Sequence, residues 1–136
     1  AARRAQAAAP LACPPVRLFA LRGATTVEAD EGGRILDATT ELLQEILERN
    51  AITPDDAVSC IFTCTDDLTA EFPAVAARAL GFDKVPLLCA RELAVQGALP
   101  RVIRVLLHYY APEGHEASHV YLHEARALRS DLEAAQ

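Results

Sequence analysis

The stretch RVIRVLLHYY, Arg101 to Tyr110, is the strongest strand signal of the chain and decides the fold class. Its odd positions, Ile103, Val105, Leu107 and Tyr109, make one apolar face. Its even positions, Val102, Arg104 and Leu106, make a second face interrupted by a single guanidinium. Period-two alternation of aliphatic and aromatic residues is the pattern of a β-strand. An arginine held mid-strand between aliphatic residues has two outlets. It snorkels to water across a half-exposed sheet face, or it pairs with something anionic. The pattern leaves both open.

Working outward, a Gly/Pro-punctuated connection, QGALP (96–100), leads back to a short strand, KVPLLC (84–89). Before it, TAEFPAVAARALG (69–81) reads as a helix closed by Gly81, and AVSCIFTCT (57–65) as another strand. TPDD (53–56) is a capped turn, with Thr53 at the N-cap and Pro54 at the first helical position. In EGGRILDATTELLQEILERN (31–50), Ile35, Thr39, Leu42, Leu43, Ile46 and Leu47 fall on one helical stripe, with Glu41, Glu45 and Glu48 turned outward. VRLFALR (16–22) reads as a buried strand ending at Gly23. Beyond the loop APEGHEAS (111–118), the alternation in HVYLHEARALR (119–129) suggests one or two closing strands. Two main helices interleaved with about five strands imply an α/β or α+β domain built on one sheet.

The 136 residues carry a net charge of −6 and a single lysine, Lys84. This argues against a nucleic-acid or anionic-membrane surface. A few arginines still suffice for a local anion pocket. No apolar run approaches the roughly 20 residues that cross a bilayer. The first fifteen residues, AARRAQAAAPLACPP, are broken by Gln6 and Pro10 and read as a flexible or processed tail. The expected division is a tail at 1–15, one domain at 16–132 and a short end at 133–136. Of the four cysteines, Cys60 and Cys64 would lie on one strand face about 13 Å apart, too far to bridge. Reduced thiols and a cytoplasmic home follow.

Several further residues are candidates for chemistry. Arg22 closes the first strand, where its side chain points into a cleft or simply ends the strand at the surface. Glu92 follows a short strand, as a cleft acid or a solvated loop acid. Arg91 and Arg101 read as surface residues. Cys89 as a nucleophile needs a histidine base, and all four histidines lie between 108 and 123 without a supporting motif. His115, His119 and His123 recur every four residues, but on a strand His119 and His123 stand about 13 Å apart, too far for ligands about 2 Å from one zinc ion.

Four blocks, LRGATTVEAD (21–30), TDDLTAEFPAVAAR (65–78), VPLLCARELAVQGALPRVIRV (85–105) and HVYLHEARALRSDL (119–132), occur in order. Together they resemble the small monofunctional chorismate mutases of the homotrimeric pseudo-α/β-barrel type. The resemblance implies a homotrimer with active sites between subunits, an isomerase that rearranges chorismate to prephenate in aromatic amino-acid biosynthesis, and no metal or cofactor. Position by position, it makes Arg104 the donor to the ether oxygen and a carboxylate. Arg22 and the Tyr121 hydroxyl become carboxylate binders, and Glu92 the acceptor from the ring hydroxyl. Cys89 becomes a weak polar neighbour of that hydroxyl. Phe72, Ala74, Leu87 and Leu128 are implied walls, and Arg78 and Arg129 positive potential at the mouth. Val75 stands where the family often has lysine, and Leu88 where it commonly has threonine, so two polar groups are missing at the cleft margin. The rival expectations are a trimeric deaminase or hydrolase and a non-catalytic metabolite-binding regulatory module.

Overall fold

The computed structural model describes residues 15–129. The expected end at 133–136, and all but the last residue of the expected N-terminal tail, lie outside the described residues. The elements are strand β1 (Val16–Thr26), helix α1 (Gly32–Asn50), strand β2 (Ala57–Cys64), helix α2 (Pro73–Ala77, running on as a π turn over Arg78–Phe82), and strands β3 (Leu87–Arg91), β4 (Val102–Pro112) and β5 (Val120–Tyr121). The sheet order is β3-β2-β4-β1-β5. Strand β4 runs antiparallel to both its neighbours, whereas β3 is parallel to β2 and β5 parallel to β1. This is a mixed five-stranded α/β sheet with its two main helices on one face.

The stretch 101–110 forms the middle of that sheet. Its odd face is buried: Val105, Leu107 and Tyr109 pack with Leu21 of β1 and Cys60 and Phe62 of β2. Against them lie Leu42, Leu43 and Ile46 of α1, and Ala74, Ala77 and Phe82 of α2. The expected stripe of α1 holds, with Ile35 and Thr39 also buried and Leu47 partly so. The opposite sheet face has much less cover within the chain. It carries Leu18 and Leu88, 49% and 60% exposed, with half-buried Ile61 and Leu106 between them.

Local chemistry explains the boundaries. Thr53 caps the turn at Pro54–Asp56, where the Asp56 carboxylate accepts the Thr53 N–H at 2.9 Å. Gly81 ends α2 at φ 111°, a backbone open to glycine but strained for other residues. Gly23, in contrast, does not end β1, which continues to Thr26. A Cβ at Gly23 would stand 2.8 Å from Ile46 Cδ1 and 3.3 Å from Leu42 Cδ1. The glycine lets α1 approach the sheet closely.

Helix α2 begins at Pro73, not at Thr69 as its sequence suggests. The intervening residues are held by Asp30, whose carboxylate accepts the N–H groups of Thr69 and Ala70 (2.9 and 3.0 Å) and the Thr69 hydroxyl (2.8 Å). The Thr69 amide is the main reason that the Asp30 carboxyl titrates below its usual range. Strand β3 starts three residues later than the apolar pattern implies. Pro86 has no N–H to give a ladder, although its carbonyl accepts from Cys60 N–H at 3.0 Å.

The expected closing strands over 119–129 shrink to Val120–Tyr121, paired with Gly23 and Ala24. Leu122 still donates to the Ala24 carbonyl at 2.9 Å. His123 then takes a left-handed backbone at φ 53°, and the chain turns helical over His123–Ala125 and 126–129. Asn50, the last residue of α1, anchors the approach to β5. Its amide accepts Ser118 N–H at 2.8 Å and donates to the Ser118 and Ile46 carbonyls at 3.0 and 2.9 Å. Among the described residues no helix is long and apolar enough to cross a membrane.

Candidate active site

The site is built on one transverse row of the sheet. Ala90 of β3, Thr63 of β2, Arg104 of β4, Ala24 of β1 and Tyr121 of β5 are successive partners across all five strands. Arg22 lies on the adjacent same-face row, paired with Leu106, which in turn pairs with Ile61. Glu92 follows β3 directly, its backbone N–H donating to the Cys64 carbonyl at 2.8 Å. This register brings Arg22, Glu92, Arg104 and Tyr121 into one cleft of about 300 Å3, with Ala24 and Thr63 between them.

Within the cleft, Arg104 Nε stands 3.0 Å from Glu92 Oε1, with 42% of the arginine side chain and 20% of the glutamate side chain exposed. That Nε is closed to solvent and has no aligned hydrogen-bond acceptor. The 3.0 Å separation is therefore Coulombic proximity without hydrogen-bond geometry. The second carboxylate oxygen of Glu92 accepts from the Thr63 hydroxyl. So the mid-strand arginine does meet an anion, one placed twelve residues earlier.

The model of the family chorismate mutase type I matches residues 18–132. The chain belongs to the type I chorismate mutase family. Chorismate mutase AroH of Thermus thermophilus is 52% identical over 118 residues, covering 85% of this chain and 97% of that protein. Chorismate mutase AroH of Bacillus subtilis (strain 168) is 43% identical over 115 residues, covering 82% and 90%. Among solved structures, a chorismate mutase from Clostridium thermocellum superposes with a TM-score of 0.76 at 41% identity, over 80% of this chain and 98% of that one. This chorismate mutase is accordingly an isomerase.

Its remaining candidate residues do not share that cleft. Phe72 and Cys89 line a second one of about 460 Å3, with Glu71, Arg91 and Leu68. No histidine lines that cleft, so Cys89 finds no base there. Burial pushes the thiols of Cys60 and Cys64 up to about 12 and about 11, which keeps both protonated at neutral pH. Ala74 is buried in the main core, with Leu87 packed against it. Leu128 packs on Ala24, Tyr121 and Ala125, so the C-terminal turn covers the β1–β5 end of the row. Arg78 and Arg129 are exposed. Arg91 and Arg101, expected at the surface, brace loops: Arg91 donates to the Thr65 carbonyl at 3.0 Å, and Arg101 Nε to the Val27 carbonyl at 2.9 Å.

The three spaced histidines go to three different partners. His115 meets the Tyr109 hydroxyl at 2.7 Å, and His123 meets the Glu41 carboxylate at 2.6 Å. His119 Nδ1 accepts the backbone N–H of Arg22 at 3.0 Å. Burial, then the charges of Arg22 and Arg129, hold the His119 pKa below its usual value. The folded chain thus disfavours the proton that the unfolded chain accepts near pH 6.5. Stability from this site is undiminished above about pH 6.5 and falls as pH drops through the depressed value. In His119→Gln, urea midpoints measured from pH 8 to 5 are expected to decline less steeply than in the parent. Identical slopes would refute the assignment.

Sequence reasoning missed Thr63 and Ala24, and weighed His119 only as a metal ligand. Thr63 was accessible in principle, since Ser59, Ile61 and Thr63 occupy the face of β2 opposite Cys60, Phe62 and Cys64. Ala24 carries no local signal, and the four-residue spacing of the histidines points His119 elsewhere; only the pairing of β5 with β1 gives both a place.

Proposed function

We propose that this chorismate mutase rearranges chorismate to prephenate in the cleft of Arg22, Glu92, Arg104 and Tyr121, by fixed charge and shape alone. The observation that carries the reading is Arg104, whose solvent-closed Nε lacks an aligned acceptor beside an oriented carboxylate. The rearrangement is a Claisen reaction: one ether C–O bond breaks as one C–C bond forms, with no proton moved and no electron gained or lost. Such a step asks for no nucleophile, base, metal or cofactor. It asks for the flexible dianion to be held in its compact reactive shape, and for charge of the right sign at each end of the breaking bond.

Arg104 donates to the ether oxygen as negative charge develops there, and reaches one substrate carboxylate. Arg22 and the Tyr121 hydroxyl hold carboxylates. Glu92 accepts from the ring hydroxyl and faces the positive character that develops on the ring. Cys89 is a weak polar neighbour of that hydroxyl. Phe72 and Leu128 supply apolar wall, Ala74 and Leu87 back it from the core, and Arg78 and Arg129 give positive potential at the mouth.

The working unit in this reading is a homotrimer with its sites between subunits. Two observations support it: the lightly covered apolar sheet face, and the separation of the charged cleft from exposed Phe72 and Arg78 within one chain. Residues 16–132 form its single catalytic domain. The pathway is aromatic amino-acid biosynthesis, and the location is the cytoplasm, in keeping with the free thiols of Cys60, Cys64 and Cys89. Mixed with chorismate, the protein should consume its ultraviolet absorbance and yield a product that acid converts to phenylpyruvate. A folded sample that leaves chorismate intact overturns the proposal.

A further inference from the structure

Glu92 and Arg104 make a puzzling pair. A carboxylate beside a guanidinium in a partly closed cleft ordinarily settles into a two-pronged, aligned clamp. Here it does not, and the cause is on the neighbouring strand. The Glu92 backbone is tied to β2 through the Cys64 carbonyl, and one carboxylate oxygen is taken by the Thr63 hydroxyl of the same strand. The other oxygen is left 3.0 Å from Arg104 Nε and out of line with it. Thr63 and Arg104 are direct cross-strand partners, so the hydroxyl and the guanidinium reach the carboxylate from adjacent strands.

We infer that Thr63 is a positioning residue for the catalytic pair: its hydroxyl turns the Glu92 carboxylate toward β2 and keeps the ion pair with Arg104 from closing into an aligned, two-pronged clamp. The inference rests on the proposed reading of the cleft as the catalytic site. Glu92 stays oriented for its acceptor role, and the guanidinium stays available to an oxygen of the substrate. Without the hydroxyl, the freed carboxylate oxygen rotates onto Arg104 and completes the clamp. The substrate then has to break that clamp before the arginine can serve the ether oxygen. Because the arginine's service is greatest in the transition state, the penalty falls more on kcat than on KM.

The test compares Thr63→Val, which keeps size and β-branching, with Thr63→Ser, which keeps the hydroxyl. Thr63→Val should lower kcat about tenfold. Its inhibition constant for a bicyclic dicarboxylate mimic of the transition state should rise by a similar factor, with KM changed less. Thr63→Ser should stay near the parent. In a Glu92→Gln background the Val change should add little, because no carboxylate is left to close the clamp. Should Thr63→Val fold poorly, Thr63→Ala and Thr63→Ser differ in the same hydroxyl and give the same comparison. Parental kcat and mimic affinity in Thr63→Val overturn the inference, as does a Thr63→Ser enzyme as impaired as Thr63→Val. A parent that does not turn over chorismate overturns the reading of the cleft instead, so the two failures are distinguishable.

Discussion

Arg104→Ala is expected to lower kcat by roughly 10²- to 10³-fold or more, about 3–4 kcal/mol of barrier, while the protein remains folded. The size follows from where the donor sits. Its guanidinium is held beside an oriented carboxylate in a partly closed cleft, and a water molecule entering after truncation brings no fixed positive charge to the developing oxyanion. The fold should survive because 42% of the side chain is exposed and Glu92 keeps its Thr63 partner. Arg104→Lys should recover little, since an ammonium is a point charge on a flexible stem and lacks the planar fork that serves two oxygens at once. Steady-state kinetics with chorismate, beside thermal unfolding of the same samples, check this. An Arg104→Ala enzyme that turns over at the parental rate would mean that the ether oxygen is served by another group, and would return the cleft to a mere binding site.

The parts of the fold that could be read from the sequence are those whose partner is implied by their own periodicity. Strand β4 and the stripe of α1 each announce a buried face, and each is found buried. The misreadings share a different physics. Thr69 and Ala70 look helical, yet their amides are bonded by Asp30, 39 and 40 residues away. The alternation in 119–129 is a fair strand pattern, but only Val120 and Tyr121 pair with β1 before the left-handed His123 turns the chain away. Gly23 looked like a stop and is a point of contact with Ile46. For Thr69, Ala70 and Gly23 a distant partner, not the local residue, settles the conformation.

The site divides along the same line. Arg104 was conspicuous because a charge among aliphatic strand residues needs a reason, and the pattern left snorkelling and anion pairing both standing. The family resemblance supplied roles for Arg22, Glu92 and Tyr121, which spacing alone did not distinguish from surface residues. What no pattern contained was the register that lines up Thr63, Arg104, Ala24 and Tyr121 on one row. That register is set jointly by four strand pairings, and it turns separate motifs into one cleft.

The second large effect concerns assembly. Leu18 and Tyr110 are cross-strand partners on β1 and β4, 49% and 50% exposed, on the lightly covered face of the sheet. Leu18 lies four residues along β1 from Arg22, about 13 Å, beyond the Debye length of about 8 Å at physiological ionic strength. Charges introduced there act on substrate only weakly and directly on whatever packs against the face. Leu18→Asp combined with Tyr110→Asp is therefore expected to convert a trimer into monomers in analytical ultracentrifugation. Activity should fall with it by roughly 10²-fold or more, because a lone chain keeps the Arg22–Arg104 cleft but loses the walls a neighbour brings to it. Far-ultraviolet circular dichroism should stay close to the parent, since the helix-covered face holding Leu21, Val105 and Leu107 is untouched. A monomeric variant with full activity would show that one chain completes its own site. A parent that sediments as a monomer would remove the shared-site reading altogether, leaving the apolar face to some other partner and the charged cleft to work from a single chain.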